Sequence, residues 1–209
     1  MELLQRGTYA EANALIASGR GDIALVCSGA TGDPRLRASM APVFRLDSGS
    51  AGNYHSVVVT RSDDPATGLV SLRGASVAWT DPDSLTGYRA PRAALRALGE
   101  DPDTYLGIAS FTHSHDAALD AVAQGLVRIA SVDEEVYRAH ESREMKVVWR
   151  SGPFPAPPIL VRRGDEPLVA ALVALAQRSE CLADLGATGL VATDWATYDI
   201  LTSTITSGH

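Results

Sequence analysis

The stretch Trp79-Thr-Asp-Pro-Asp-Ser-Leu-Thr-Gly87 constrains the fold more than any other part of this chain. Val77, Ala78 and Trp79 end an apolar, partly β-branched run, and Asp81, Pro82 and Asp83 cannot comfortably extend a hydrogen-bonded ladder, so a strand must stop there in a turn. Ser84 and Thr86 then stand where N-cap and first-turn residues belong, ahead of a helical run over 88–98 that ends at Gly99. A strand that hands over to a helix in this way gathers backbone N–H groups, the positive end of a helix dipole and two hydroxyls at one place. Such a place is a candidate oxyanion cradle. On spacing alone, an ordinary capped helix after an ordinary strand is the alternative.

The layout recurs downstream. A strand predicted over 105–111 runs into Thr112-His-Ser-His-Asp116, and a helix over 117–124 follows, closed by Gly125. His115 beside that helix start has its neutral imidazole favoured by the dipole, whereas a bound dianion would favour the protonated ring and a charge-assisted hydrogen bond. The His113-x-His115 spacing also suits a metal on a strand, but no third ligand of suitable type is nearby. A further strand, 126–132, ends in Asp133-Glu-Glu135 before a short helical run. Acidic residues at a helix start are stabilising with no ligand present; Asp133 is equally placed to meet a cationic or hydroxyl-bearing part of a small ligand.

Nearer the N-terminus, Thr8-Tyr-Ala-Glu11 reads as a capping box opening a helix to Gly19. The strand 22–26 that follows ends in the small-residue loop Cys27-Ser-Gly-Ala-Thr-Gly32. Open α/β sheets place ligands at the carboxyl ends of strands, which makes Ser28 a candidate to face a cleft. Strands are expected at 43–46 and 56–61, joined by a Gly-rich link. Val57, Val58 and Val59 form a continuous apolar run that implies burial on both faces. Tyr54, at the entry of the second strand, either offers its phenol to a ligand or packs its ring. Strands at 145–150 and 159–162 flank the proline-rich crossing 151–158, and a helix over 165–179 carries Leu168, Leu172 and Leu175 on its buried stripe. The turn-rich segment 61–74 and the proline-rich crossing are the expected boundaries of two lobes. The plan is an outer lobe of 1–61 plus 159–209, an inserted inner lobe of 62–158, and hinge crossings near 57–64 and 150–160.

Composition narrows the function. With 209 residues and a net charge of −7 from scattered acidic residues, the chain lacks the clustered basic face of a nucleic-acid binder, and an anion would have to be held by local geometry rather than by the overall field. Cys27 and Cys181 have no metal-type spacing and are expected to be small buried hydrophobes. Walker A, Gly-x-Ser-x-Gly and His-Glu-x-x-His motifs are absent, so no cofactor is expected, and no nucleophile, base and orienter set marks an enzyme. Met1-Glu-Leu-Leu-Gln-Arg6 lacks the basic-then-apolar layout of an export signal, which keeps the chain as written in the cytoplasm.

With Asp81-Pro-Asp-Ser-Leu-Thr-Gly-Tyr-Arg-Ala-Pro91 and Ser114-His-Asp-Ala-Ala118 in hand, the sequence resembles the phosphonate/phosphate-binding proteins of ABC importers, a branch of the type 2 periplasmic binding proteins. Tyr54-His-Ser-Val57, Trp149-Arg-Ser151 and Thr193-Asp194 extend the resemblance along nearly the whole chain. The resemblance implies an α/β type 2 periplasmic-binding-protein fold with two hinged lobes and no enzymatic activity. It also implies a small phosphorus oxyanion (phosphonate, phosphate or phosphite) held between the lobes, and an ABC permease as partner if the protein is exported. It implies ligand contacts from Ser84, Thr86, Tyr54 and His115, a backbone N–H from Leu85, and Asp133 for the ammonium of an aminoalkyl phosphonate. Many relatives carry Ser-Thr-Ser where this chain has Ser84-Leu85-Thr86, one hydroxyl fewer. Relatives also begin with a strand, a helix and an export signal that precede the segment matched here. The expectation is therefore an N-terminally truncated outer lobe with fewer strands, its sheet edge covered by dimerisation or strand exchange. The family location is periplasmic or cell-surface, and a cytoplasmic oxyanion sensor without transport is the alternative function.

Overall fold

The computed structural model describes residues 4, 6–47, 53–140, 144–176, 182 and 187–202. In chain order the elements are α1 (Tyr9–Ala17), β1 (Ile23–Leu25), α2 (Pro34–Ser39), β2 (Met40–Asp47), β3 (Asn53–Tyr54), β4 (Ser56–Arg61) and β5 (Val77–Trp79). There follow α3 (Ala90–Ala97), α4 (Pro102–Tyr105), β6 (Ala109–Phe111), α5 (His115–Ala123), β7 (Ile129–Asp133) and α6 (Glu134–Ala139). The last are β8 (Met145–Arg150), β9 (Phe154–Pro155), β10 (Pro158–Arg162), α7 (Glu166–Ala176), β11 (Gly189–Ala192) and α8 (Trp195–Asp199). Short 3₁₀ turns cover Ser28–Gly32 and Leu69–Ser71, and a π-helical turn covers Leu85–Arg89. No helix among the described residues is long and apolar enough to cross a membrane.

The chain divides into two compact units, one of 1–53 with 154–202 and one built on 54–153. In the first, an antiparallel sheet of four strands runs in the order β1-β10-β2-β11. Its core joins Ile16 of α1, Leu36 of α2, Met40, Leu160, Val26 and Ala30. The predicted capping box is present: the Thr8 hydroxyl accepts from the Glu11 amide, and the Glu11 carboxylate accepts from the Thr8 amide. Helix α2 was not foreseen, although Asp33-Pro34 carries its signal: the Asp33 side chain accepts from the Arg35 amide, and Pro34 occupies the first turn, where no donor is needed.

The second unit is a mixed five-stranded sheet in the order β6-β5-β7-β4-β8. Strand β5 runs parallel to both β6 and β7, while β4 is antiparallel to β7 and β8. Alternation sends Val57, Val59, Ala78, Ala130 and Val132 to one face, against Ala118, Leu119 and Val122 of α5. Val58, Val77, Trp79 and Ile129 go to the other face, against Leu69, Leu72, Leu95 and Tyr105. A sheet covered on both faces accounts for the uninterrupted Val57-Val58-Val59 run.

Four expectations need correction. Strand β4 was assigned to an outer lobe of 1–61, but it is an inner strand of the second unit's sheet, so the units part at 53/54 and 153/154. The turn-rich segment 61–74 is no boundary, since Ala66, Leu69 and Leu72 in it belong to the second unit's core. The strand expected over 105–111 shrinks to β6, because Asp101 caps helix α4 by accepting from the Asp103 amide with Pro102 in the first turn. On α7, Leu168 and Leu172 are half-buried but Leu175 is exposed. The α7 residues expected from 177 to 179, Cys181 and the tail beyond Thr202 lie outside the described residues. Cys27 is half-buried.

Candidate functional site

Because β5, β6 and β7 are parallel, their carboxyl ends discharge at the same end of the sheet, and antiparallel β4 begins there, with Ser56 opposite Asp133. The turn after Trp79, the turn after Phe111, Asp133 and the entry residues Tyr54 to Ser56 are therefore neighbours by topology.

The 80–89 segment is folded tightly upon itself. The Asp81 carbonyl accepts from the Ser84 amide at 2.9 Å, and the Thr80 amide donates to the Gly87 carbonyl at 3.2 Å. Ser84 caps the helical turn, its hydroxyl oxygen accepting from the Gly87 amide at 2.9 Å. The turn is wider than an α-helix: the Arg89 amide bonds the Ser84 carbonyl and the Ala90 amide the Leu85 carbonyl, each five residues back. Gly87 is required by contact. A Cβ there would lie 2.2 Å from Thr80 Oγ1 and 2.9 Å from Ser84 Oγ. The Thr86 carbonyl is held by two hydroxyls, Ser56 Oγ at 2.6 Å and Ser131 Oγ at 2.7 Å. Ser84, Leu85 and Thr86 are all fully buried.

The Thr86 hydroxyl lies 3.0 Å from the Tyr54 hydroxyl. One proton joins the pair and the other remains to be given elsewhere. His115 is the first residue of α5, after Ser114, whose hydroxyl accepts from the Ala117 amide at 3.3 Å. Its Nδ1 receives the Asp133 amide at 3.3 Å and lies 3.0 Å from Thr80 Oγ1. An amide can only donate, so Nδ1 is an acceptor and the ring proton sits on Nε2. Burial pushes the imidazole down to about 4, against a smaller opposing pull from Asp116. Without a ligand the ring is therefore neutral, as expected beside a helix start, and it offers one Nε2–H. Asp133 caps α6, its carboxylate accepting from the Glu135 amide at 2.9 Å. Burial raises its pKa to about 7, with the neighbouring Glu135 and Glu134 charges adding to the rise and the cap bond opposing it.

Six of the seven residues singled out from sequence, Tyr54, Ser84, Leu85, Thr86, His115 and Asp133, thus belong to the second unit. Ser28 belongs to the first; it is fully buried and its hydroxyl donates to the Pro155 carbonyl at 2.8 Å, so the expected cleft-facing hydroxyl is engaged in tying a turn to the returning chain. Sequence reasoning missed Thr80, Ser56 and Ser131, which brace the turn and His115. Their signal was a lone hydroxyl residue in or beside an apolar, buried strand, where it must find a partner. His113 and His115 point their Nδ1 atoms at different partners, Asp81 and the Thr80–Asp133 pair. Among the described residues no group of three or more His, Cys, Asp or Glu is arranged to hold a metal ion.

A family profile described as "ABC transporter, phosphonate, periplasmic substrate-binding protein" matches residues 1–198. Among solved structures, the chain is similar to a binding protein component of an ABC phosphonate transporter from Pseudomonas aeruginosa, with a TM-score of 0.84 and 20% identity over 97% of this chain and 74% of that one. It is similar to PhnD1 from Prochlorococcus marinus in complex with methylphosphonate, with a TM-score of 0.82 and 14% identity over 96% and 83% of the two chains. A Xanthomonas citri protein bound to ATP has a TM-score of 0.79 and 21% identity over 99% and 85%. No curated protein sequence matches. At these identities the structural likenesses establish the α/β type 2 periplasmic-binding-protein fold, and the profile, which spans nearly the entire sequence, establishes kinship. The chain belongs to the phosphonate-binding family of periplasmic substrate-binding proteins of ABC transporters, which is not a family of enzymes.

Proposed function

We propose that this protein captures a small phosphorus oxyanion (a phosphonate, phosphate or phosphite) for an ABC importer, using the helix start at 84–87 and His115 as its anion contacts. The observation that carries the reading is the supply of donors at one end of one sheet: the Ser84 hydroxyl, the Thr86–Tyr54 hydroxyl pair and Nε2–H of neutral His115. The amides of the first helical turn, that of Leu85 included, add the positive end of a dipole. This set contains no Lys or Arg, so the anion is stabilised by fixed dipoles rather than by a counter-charge, as suits a chain with a net charge of −7. Asp133 serves the organic end of the ligand. An ammonium beside its buried carboxyl would favour the ionised form and replace the solvation that burial removes, which favours aminoalkyl phosphonates over methylphosphonate.

Thermal-shift titration with methylphosphonate, 2-aminoethylphosphonate, phosphite, phosphate and sulfate tests the reading. A ligand present at a hundred times its dissociation constant stabilises the folded state by about 2.7 kcal/mol. Saturable stabilisation by at least one phosphorus oxyanion, with the ligand recovered intact, is expected. No shift with any of them, or release of a product, contradicts it.

A further inference from the structure

We infer that Asp81 and His113 are positioning residues of the oxyanion site, a single buried carboxylate setting the spacing between the turn that carries Ser84 and Thr86 and the helix start that carries His115. The inference rests on the binding role proposed above for those two segments. Asp81 is 1% exposed and bonds both loops. Its Oδ1 accepts from the Asp83 amide at 2.8 Å, inside the first turn, and its Oδ2 accepts from His113 Nδ1–H at 2.9 Å, in the second. Its carbonyl also receives the Ser84 amide at 2.9 Å, so the residue that reaches across to His113 is the one that seats Ser84.

The ladder between β5 and β6 stops at Trp79 and Phe111. Beyond it the two chains stay together through the Thr112 amide on the Trp79 carbonyl at 2.9 Å, the His113 amide on the Thr80 carbonyl at 2.7 Å, and the Asp81–His113 side-chain bond. The last of these fixes the direction in which the second loop leaves. His113 has a φ of +56°, the only positive φ at a non-glycine among the described residues. A residue other than glycine is uncommon there, although histidine takes this region more readily than most, and bonded neighbours help to hold it. Here the holders are the Asp81 carboxylate and the Phe111 ring, whose centroid is 6.3 Å from the imidazole at an interplanar angle of 22°. Two residues on, the chain reaches His115, whose Nδ1 must meet both Thr80 and the Asp133 amide. A change of direction at position 113 would carry that ring away from both.

Asparagine is the informative replacement. Its Nδ2 is attached to Cγ as Nδ1 is in histidine, so it can donate to the same carboxylate oxygen, and asparagine tolerates positive φ. Glycine keeps the φ and loses the bond. The test measures, in the whole protein, methylphosphonate affinity by calorimetry and the side-chain nitrogen signals of His115 by NMR, for wild type, His113→Asn, His113→Gly and Asp81→Asn. His113→Asn should bind within about twofold of wild type, with His115 still in its Nε2–H form. His113→Gly should bind roughly tenfold more weakly, with His115 nitrogen signals moved toward an average of tautomers; Asp81→Asn should fall between wild type and His113→Gly, since its Nδ2–H reaches His113 Nδ1 only when that ring moves its proton to Nε2. Unchanged affinity in His113→Gly, or unchanged His115 signals in both it and Asp81→Asn, overturns the inference. If the wild type binds no phosphorus oxyanion, the functional reading falls on its own, and the His115 signals of the unliganded variants still decide the positioning role.

Discussion

His115 and Asp133 share a hydrogen bond and have pKa values displaced by burial in opposite directions, to about 4 and about 7. Both groups are therefore mostly neutral between these values, and their effects on stability oppose each other. A histidine whose folded pKa lies below its unfolded 6.5 costs stability as pH falls from about 6.5 to about 4, because the unfolded chain takes up the proton first. A carboxyl raised from 3.8 to about 7 does the reverse: its stabilising protonation is complete below 3.8 and is lost as pH rises through about 7. Over pH 4.5–6.5 the two slopes offset one another in the wild type. Chemical denaturation across that range should show stability climbing more steeply with pH in Asp133→Asn, and declining relative to wild type in His115→Gln. If neither substitution alters the slope, these two groups do not carry the assigned shifts. Ser84, Thr86, Tyr54 and His115 could be picked from sequence because hydroxyls and an imidazole at helix and strand starts have a chemical use there. The neutral form of His115 could also be read from the helix start, but not which ring nitrogen keeps the proton, since that depends on Thr80 and Asp133, 35 and 18 residues away along the chain.

At the level of elements, the strand-to-helix handover after Trp79 is written in Asp81-Pro82-Asp83 and in the Ser84 cap, and it forms as expected. The π-helical opening of the helix was not legible. It results from long-range holds, the Ser56 and Ser131 hydroxyls pulling on the Thr86 carbonyl and Thr80 lying against Gly87. Gly87 therefore offers a test of the turn itself. A Gly87→Ala methyl would overlap Thr80 Oγ1, so the turn and Thr80 must move apart, at a cost typical of overpacking, about 1–3 kcal/mol in folding stability. Because Thr80 also meets Nδ1 of His115, ligand affinity should fall as well. Denaturant unfolding and calorimetry check both; an unperturbed variant would mean that the turn is loose. The short helix α4 goes unread for the opposite reason: its Asp101-Pro102 signature is local and plain, but its last residue, Tyr105, stands with Leu106 as an apolar pair that resembles a strand's beginning.

For the molecule as a whole, the two-unit plan and the inserted order of the segments were legible, but their boundaries were not. Gly, Pro and Asp in 61–74 suggested a linker, yet Ala66, Leu69 and Leu72 fill the core, and Arg128 grips Asp64 through two bonds of 2.7 and 3.0 Å, holding that carboxyl down at about 2. Among the described residues, two of the three core clusters lie wholly within 54–153 and the third wholly outside it. A fragment of residues 54–153 should therefore fold alone, with a cooperative thermal transition by circular dichroism; a fragment without such a transition would mean that this unit depends on the remainder of the chain. The central claim, that the 84–87 turn and His115 grip one oxyanion, is tested most directly by calorimetric titration of wild type and His115→Ala with the tightest-binding phosphorus oxyanion. Loss of the Nε2–H donor to a charged ligand should weaken binding by about 1.5–3 kcal/mol. Equal affinity in the two proteins would contradict it.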